Sequence, residues 1–537
     1  MPNTPPLPPN QNPSALFAYA RGVVDERHTL QHDVAQREFW LERLRLEFED
    51  INSRCRDHEA HIKRLTSELD GILNSPAWKA TFPLRYLGSR FGRGRAAPGI
   101  AAPEAPGEGG APAEPQPPPL VLTPPANEVP PPTTASVSFI IPSYNGRDDL
   151  AQLLPLLQSQ AGLGTVEIIV IDSGSTDGSA ELAEAAGATV IRIPSSDFSH
   201  SGARNQAAGQ AAGEYLCFLT QDALPTGPHW ARRLLQPLLD GKAVAVSPRE
   251  EPREDAGLYA RVGIWHHNQY LGVADTDRVL ALPEVDDYYT LRQNASLNNV
   301  ACLIGRDVFL QYYFKGDYAE DLDLGIRLVR AGHPLALLAS EQVIHSHSRP
   351  ISYTLKRAAI NERFFLARFP DYPRQDYPPD ELPSRLVHGW RQACLLRDYL
   401  ATLGDTALDA DSLAYHMEIF STALPLFDPA AQPDAPMPPS GDSAFDDFLN
   451  QLHTLYLDTT PAATGMGDDI YHYFRAILLP YLQAFPAAIG PAQRAEVIDC
   501  VFHYYAATLG VRLGVHSYLA TTPDALTTLA RPLAQGV

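Results

Sequence analysis

Cysteine is scarce in this chain, with five in 537 residues, at positions 55, 217, 302, 394 and 500. An odd number, widely spaced and without a CxxC pair, excludes a disulfide framework or a zinc knuckle and fits a reducing compartment. Long apolar runs are missing too. No stretch of ~18 apolar residues occurs, so no membrane-spanning helix is predicted. Residues 1–13 are Pro-rich and lack the basic-then-apolar order of a secretory leader, so a cytoplasmic location is expected. Neither GxGxxG nor GxxxxGK[ST] is present, which argues against dinucleotide and P-loop folds. Positive charge is in deficit, 42 Lys and Arg against 63 Asp and Glu, for a net charge of −21 and a pI near 5.2. A nucleic-acid partner is therefore not expected.

The length predicts two or three domains with linkers. Residues 1–23 read as a disordered N-terminus. Residues 24–74 carry apolar positions stepping by three and four, among them Leu30, Val34, Leu41, Leu44, Phe48, Ile51, Ile62, Leu65 and Leu69. Such a seam, interrupted in type at Arg37 and His58, predicts a coiled coil and hence a homo-oligomer. In residues 75–95, Trp78, Phe82, Tyr86 and Phe91 interleave with Arg85, Arg90, Arg93 and Arg95. This composition suits peripheral contact with an anionic membrane, the inner face of the cell membrane for a cytoplasmic protein. Residues 96–134 are a Pro/Ala-rich linker. Residues 380–537 show helical segments separated by Pro- and Gly-rich breaks and read as an all-helical accessory domain.

Between these parts, residues 136–365 alternate short apolar strands with helices. Strands are expected at 137–141, 166–171, 189–193 and 215–219. The alternation predicts an α/β fold with a doubly wound, mostly parallel sheet. Ligands in such sheets lie beyond the carboxyl ends of the strands. There the sequence places Pro142-Ser143-Tyr144-Asn145, then Asp172 to Gly178, then Thr220-Gln221-Asp222. Carboxylates at strand ends, in place of a glycine-rich phosphate cradle, suggest a diphosphate bridged by a hard cation, Mg2+ or Mn2+. Farther on, Glu320-Asp321 precedes an apparent helix. Alone, that pair reads as the acidic first turn a helix dipole favours. His345 and His347 follow an apolar strand, and period-two spacing puts both on one face. Trp265-His266-His267-Asn268 and Asn298-Asn299 are further polar groups between the two halves.

Taken together, these segments resemble a family 2 glycosyltransferase of the GT-A type. The resemblance rests on Ser138 to Asn145, Val170 to Gly178, and Ser201-Gly202-Ala203-Arg204-Asn205. Phe218 to Pro225 and Glu320-Asp321 with Arg327 and Gly332 complete it. The Thr-Gln-Asp-Ala segment is most similar to bacterial rhamnosyltransferases of surface polysaccharide synthesis. It implies a nucleotide-sugar donor, dTDP-rhamnose first among them, and a lipid-linked glycan acceptor such as O-antigen.

It also implies roles. Asp172 would bond the nucleobase with Arg204 nearby, and Asp177 would support the ribose. Pro142, Tyr144, Asn145 and Gln221 would complete the nucleotide-sugar site. Asp222 would hold the metal, with His345 and His347 as further ligands, and Asp321 would be the general base beside Glu320. One base and one displacement imply inversion. The family's DxD pattern is reduced here to one carboxylate, Asp222, which leaves metal reliance open. Two alternatives stand: a UDP- or GDP-sugar enzyme, and a catalytically weak scaffold in a glycan-assembly complex.

Overall fold

The computed structural model describes residues 13–35 and 129–534, except 286, 375–377, 379–380, 428–432 and 458–466; side chains at 29–35 and 467–469 are likewise outside it. Nearly all of the expected coiled coil, the basic-aromatic segment and most of the linker lie outside the described residues.

Nine strands form one sheet: β1 Val137–Ser143, β2 Val166–Asp172, β3 Thr189–Arg192, β4 Tyr215–Leu219, β5 Leu224–Pro225, β6 Ala245–Glu251, β7 Arg278–Leu280, β8 Ala301–Gly305 and β9 Leu335–Ile344. Their order is β3-β2-β1-β4-β8-β6-β9-β5, with β7 also on β9. The apolar runs make these strands because they are short, rich in β-branched residues and buried. In β1, Val137, Phe139, Ile140 and Ile141 are all fully buried.

The sheet is mixed, which corrects the expectation of a mostly parallel one. β1 pairs in parallel with β2 and β4, β2 with β3, and β6 with β9. β8, however, lies antiparallel between β4 and β6, and β5 and β7 lie antiparallel to β9. A short apolar run such as 300–304 marks a strand but carries no direction, so the alternation seen before residue 220 does not extend. The consequence for the site is direct. β1, β2, β3, β4, β6 and β9 all point the same way, so their carboxyl ends share one edge, and β8 starts from that edge.

Residues 380–534 are helical where described, apart from an isolated bridge between Leu408 and Ile489. Their core, built mostly from residues beyond 380, is not closed off from the rest of the chain. Leu258, Val262, Ile351 and Leu355 of the α/β part join Trp390, Phe420, Phe474 and Leu513 in one cluster. Val511 and Val515 join the core on one face of the sheet. The junction is the crossing of helix Ile351–Arg368 with helix Pro491–Leu519. A Cβ on Gly510 would stand 2.3 Å from the Leu355 carbonyl oxygen, and one on Gly514 would stand 2.8 Å from that of Ala359. Glycine at both positions lets the backbones touch.

Of the stretch 1–23 expected to be disordered, residues 13–23 are helical, and residues 1–12 lie outside the described residues. Helix Pro13–Ala35 buries Phe17, Ala20 and Val24 in the helical cluster, where Phe17 stacks on Tyr399 at 4.3 Å. Their 17-20-24 spacing is an apolar stripe at helical period, obscured in the sequence by the prolines before it.

Candidate active site

The shared edge collects the polar groups. At the end of β1, Asn145 adopts φ 46°, a left-handed conformation that asparagine tolerates. Its side chain accepts from Thr176 N at 2.9 Å, and its own N donates to Ser175 Oγ at 2.8 Å. The β1 and β2 loops are thereby clipped together. At the end of β2, Asp172 is buried, and Oδ2 accepts from Gly174 N and Ser175 N, each at 3.1 Å. Its Oδ1 is buried without a partner among the described residues, an acceptor that calls for a donor. Asp177 is spent on the loop itself, accepting from Ser179 N and Arg147 N, both at 3.0 Å. Pro142 sits within β1, paired with Ile171, and the Tyr144 side chain is exposed. Gln221 ties β4 to this rim, accepting from Tyr144 N at 3.0 Å and reaching Asp149 at 3.4 Å. Burial first, and then Asp222, raises the Asp149 carboxyl pKa.

Asp222, His345 and His347 converge. Asp222 is only 6% exposed, and its Oδ2 lies 3.1 Å from His347 Nε2 and 3.6 Å from His345 Nε2. The ligand atoms of the three lie within 4.8 Å of one another. Period-two spacing at the end of β9 sets the imidazoles edge to face, 4.7 Å apart. One carboxylate and two imidazoles suit a divalent cation and leave positions for other ligands. Glu250, at the end of β6, bonds His345 Nδ1 at 2.5 Å, fixing the ring so that Nε2 faces Asp222. Burial disfavours the His345 imidazolium, but Glu250 and Asp222 outweigh it and raise its pKa. His347, where burial dominates over Asp222, is lowered.

Glu250 reaches the other way as well. Its Oε2 accepts from Asn298 Nδ2 at 2.9 Å. The next residue, Asn299, holds both members of the acidic pair: Nδ2 donates to Glu320 Oε1 at 2.9 Å, and the backbone N donates to Asp321 Oδ2 at 3.1 Å. A hydrogen-bonded run thus links the Asp222–His345–His347 cluster to Asp321. Two backbone features position that run. Ala319 takes φ 49° immediately before helix Glu320–Arg330, a conformation costing alanine ~1 kcal/mol. Gly325 lets the helix settle onto the loop, since a Cβ there would meet the Ala295 carbonyl oxygen at 1.9 Å.

The acidic pair divides as its adjacency requires. Glu320 turns inward, buried, with Arg204 Nη1 at 3.3 Å. Burial, then Asp321, raises its carboxyl pKa against the pull of Arg204. Arg204 accordingly stands with Glu320. Asp321 is half-buried and lines a 220 Å³ cavity with Glu250, His267 and Asn298. Asn268 braces the Glu250 backbone at 2.9 Å, while Trp265 packs edge-on against Tyr481. Sequence reasoning missed Glu250 and Asp149. Glu250 ends a strand on the same edge as the other polar groups, and that was the one signal available for it.

Residues 138–305 match the family Glycosyl transferase family 2; Glu320, Asp321, His345 and His347 lie beyond that span. The chain is 27% identical over 217 residues to the O-antigen chain rhamnosyltransferase RfbN of Salmonella typhimurium, covering 40% of this chain and 67% of the relative. It is 28% identical over 219 residues to the O-antigen chain rhamnosyltransferase WbaN of Salmonella anatum, with the same coverage. A mannosyltransferase of Pyrobaculum calidifontis, solved with GDP-mannose and Mn2+, is 16% identical over 72% of this chain and 89% of its own, with a TM-score of 0.37, a likeness too slight to argue from. With two rhamnosyltransferases among the relatives of the chain, residues 138–305 are a family 2 glycosyltransferase domain.

Proposed function

We propose that this chain is an inverting GT-A-type transferase that moves rhamnose from dTDP-rhamnose to a hydroxyl of a growing lipid-linked glycan. The observation that carries this reading is the run of hydrogen bonds joining the Asp222–His345–His347 cluster to Asp321 along one sheet edge. The O-antigen relatives favour rhamnose and a surface glycan.

Each part has a physical task. Asp172, with its unpartnered buried oxygen, receives a donor N–H of the nucleobase. Asp222, His345 and His347 would hold Mn2+ in preference to Mg2+, since two imidazoles suit the softer ion. Such an ion, when bound, offsets the charge of the leaving diphosphate. Asp321 accepts the proton of the attacking hydroxyl. Its oxygens are held by Asn299 N and Leu322 N, and each keeps a lone pair free for that proton. Glu320 is buried with its Oε1 bonded by Arg204 and Asn299, a scaffold position rather than that of a second nucleophile. With one base, the reading is a single displacement with inversion.

Asp321→Asn should lower turnover of dTDP-rhamnose by roughly 10²–10⁴-fold, while thermal stabilisation by dTDP stays as in the parent. Full turnover in that variant would remove Asp321 as the base. Stabilisation by UDP or GDP but not dTDP would reassign the donor.

A further inference from the structure

A cavity of about 1050 Å³ is a cleft between the α/β part and the C-terminal helices. Glu250, His345 and His347 are among its lining residues. Tyr353, Arg357 and Asn361 of helix Ile351–Arg368 form one wall, and Asp442 and His503 belong to the helical part opposite. We propose that this cleft is the acceptor subsite, that it binds a neutral glycan chain, and that the C-terminal helices supply half of it. The inference rests on the transferase reading for what happens at its His347 end.

Four features argue for this occupant. The cleft opens at the cluster where a donor diphosphate would be held, so its occupant lies beside the reacting centre. Its volume is at the upper end for ligand pockets, and the nucleotide groups (Asn145, Asp172 and Gln221) are not among its lining residues. Its charge is mixed. Arg349 and Arg357 line it with Glu250, Glu362, Asp442 and Asp499, an excess of carboxylates that disfavours a polyanion such as a second nucleotide and offers the donors and acceptors a polyol needs. Flat rings line it as well, with Tyr259 stacked on His503 at 4.8 Å and 17° and Tyr353 under Arg349. Such rings pack against the C–H faces of pyranoses. The Gly510 and Gly514 contacts hold the two walls at fixed spacing, so the cleft is preformed and its occupant pays little ordering cost. Glu250 lines both this cleft and the Asp321 cavity. A glycan end lying past His345 would therefore present its hydroxyl toward Asp321.

The test uses the whole chain and an α-rhamnose trisaccharide, read by saturation-transfer NMR, with dTDP thermal stabilisation measured in parallel. Tyr353→Ala removes a stacking face, and Asn361→Trp fills the cleft. Both variants should weaken trisaccharide binding by at least ~10-fold, or about 1.4 kcal/mol, with dTDP stabilisation unchanged. Binding equal to the parent in both variants, or none to the parent, overturns the subsite. If the parent binds trisaccharide and both variants lose it while dTDP never stabilises the protein, the cleft stands and the donor assignment falls.

Discussion

Glu250 illustrates how one residue can govern a cluster of ligand side chains from beside it. Its two oxygens bond His345 Nδ1 and Asn298 Nδ2, so it sets the imidazole's orientation and the position of the loop before Asp321. Outer-shell partners of this kind typically contribute 10–100-fold to metal affinity. Glu250→Gln keeps the shape but loses the charge that favours Nδ1–H, and it should weaken Mn2+ binding, followed by electron paramagnetic resonance, by about that factor. Glu250→Asp should weaken it by less. Unchanged Mn2+ affinity in Glu250→Gln would mean His345 is held by packing alone.

His200 makes a separate prediction about pH. Burial above all, then Arg204 and Arg357 against Asp317, lowers its pKa from 6.5 to about 4. Between those values the unfolded chain binds a proton that the folded chain refuses, so stability rises with pH. The contribution is whole above pH 6.5 and is lost as pH falls toward 4. Glu320, raised by burial, works with the opposite sign, so a comparison of variants isolates the histidine. His200→Asn should flatten the slope of urea-unfolding free energy between pH 6.5 and 4. An unaltered slope would show that this imidazole ionises freely in the fold.

Among the elements, the crossing of helices Ile351–Arg368 and Pro491–Leu519 carries the strictest geometric demand. Alanine would ordinarily gain ~1 kcal/mol over glycine inside a helix. At Gly510 the new Cβ would meet the Leu355 carbonyl oxygen at 2.3 Å, with the Ala358 Cβ at 2.9 Å. Backbone cannot swing aside as a side chain can, so Gly510→Ala should destabilise by roughly 1–3 kcal/mol. Gly263, where nothing lies within 4 Å, is the control, and its alanine variant should be neutral or better. Chemical denaturation of the two decides the matter. Equal stability would show that the helices separate without cost.

The same scale shows what the sequence could disclose. Strands that are short apolar runs closed by polar strand ends were legible, and so were Asp172, Asp222 and the two histidines as edge residues. The direction of β8 was not, because it depends on partners β4 and β6 that are distant in the chain. Nor was Glu250, whose partners lie 48 and 95 residues away. Arg204 was legible as important but not as Glu320's partner, because a helix and an acidic segment 116 residues apart meet only once the sheet is ordered.

At the scale of the whole molecule, the family match stops at residue 305, yet the cores do not respect that limit. Phe17 and Val24 from the N-terminal helix, Leu258 and Ile351 from the α/β part, and Trp390 and Leu513 from the tail share one cluster. Val511 and Val515 belong to the same cluster as Ile140 and Phe218 of the sheet and Phe365. A fragment of residues 136–365 would therefore end inside helix Ile351–Arg368 and expose the apolar face that the tail covers. Each fully buried valine, leucine or phenylalanine there contributes ~1.5–3 kcal/mol, so losing several removes a stability comparable to that of an entire domain. The fragment should aggregate or unfold without cooperativity. The full chain should show coincident transitions by circular dichroism and by fluorescence of Trp230, in the α/β part, and Trp390, in the tail. A soluble 136–365 fragment that unfolds sharply and is stabilised by dTDP would establish the tail as an appendage, and the shared core would then be packing without thermodynamic coupling.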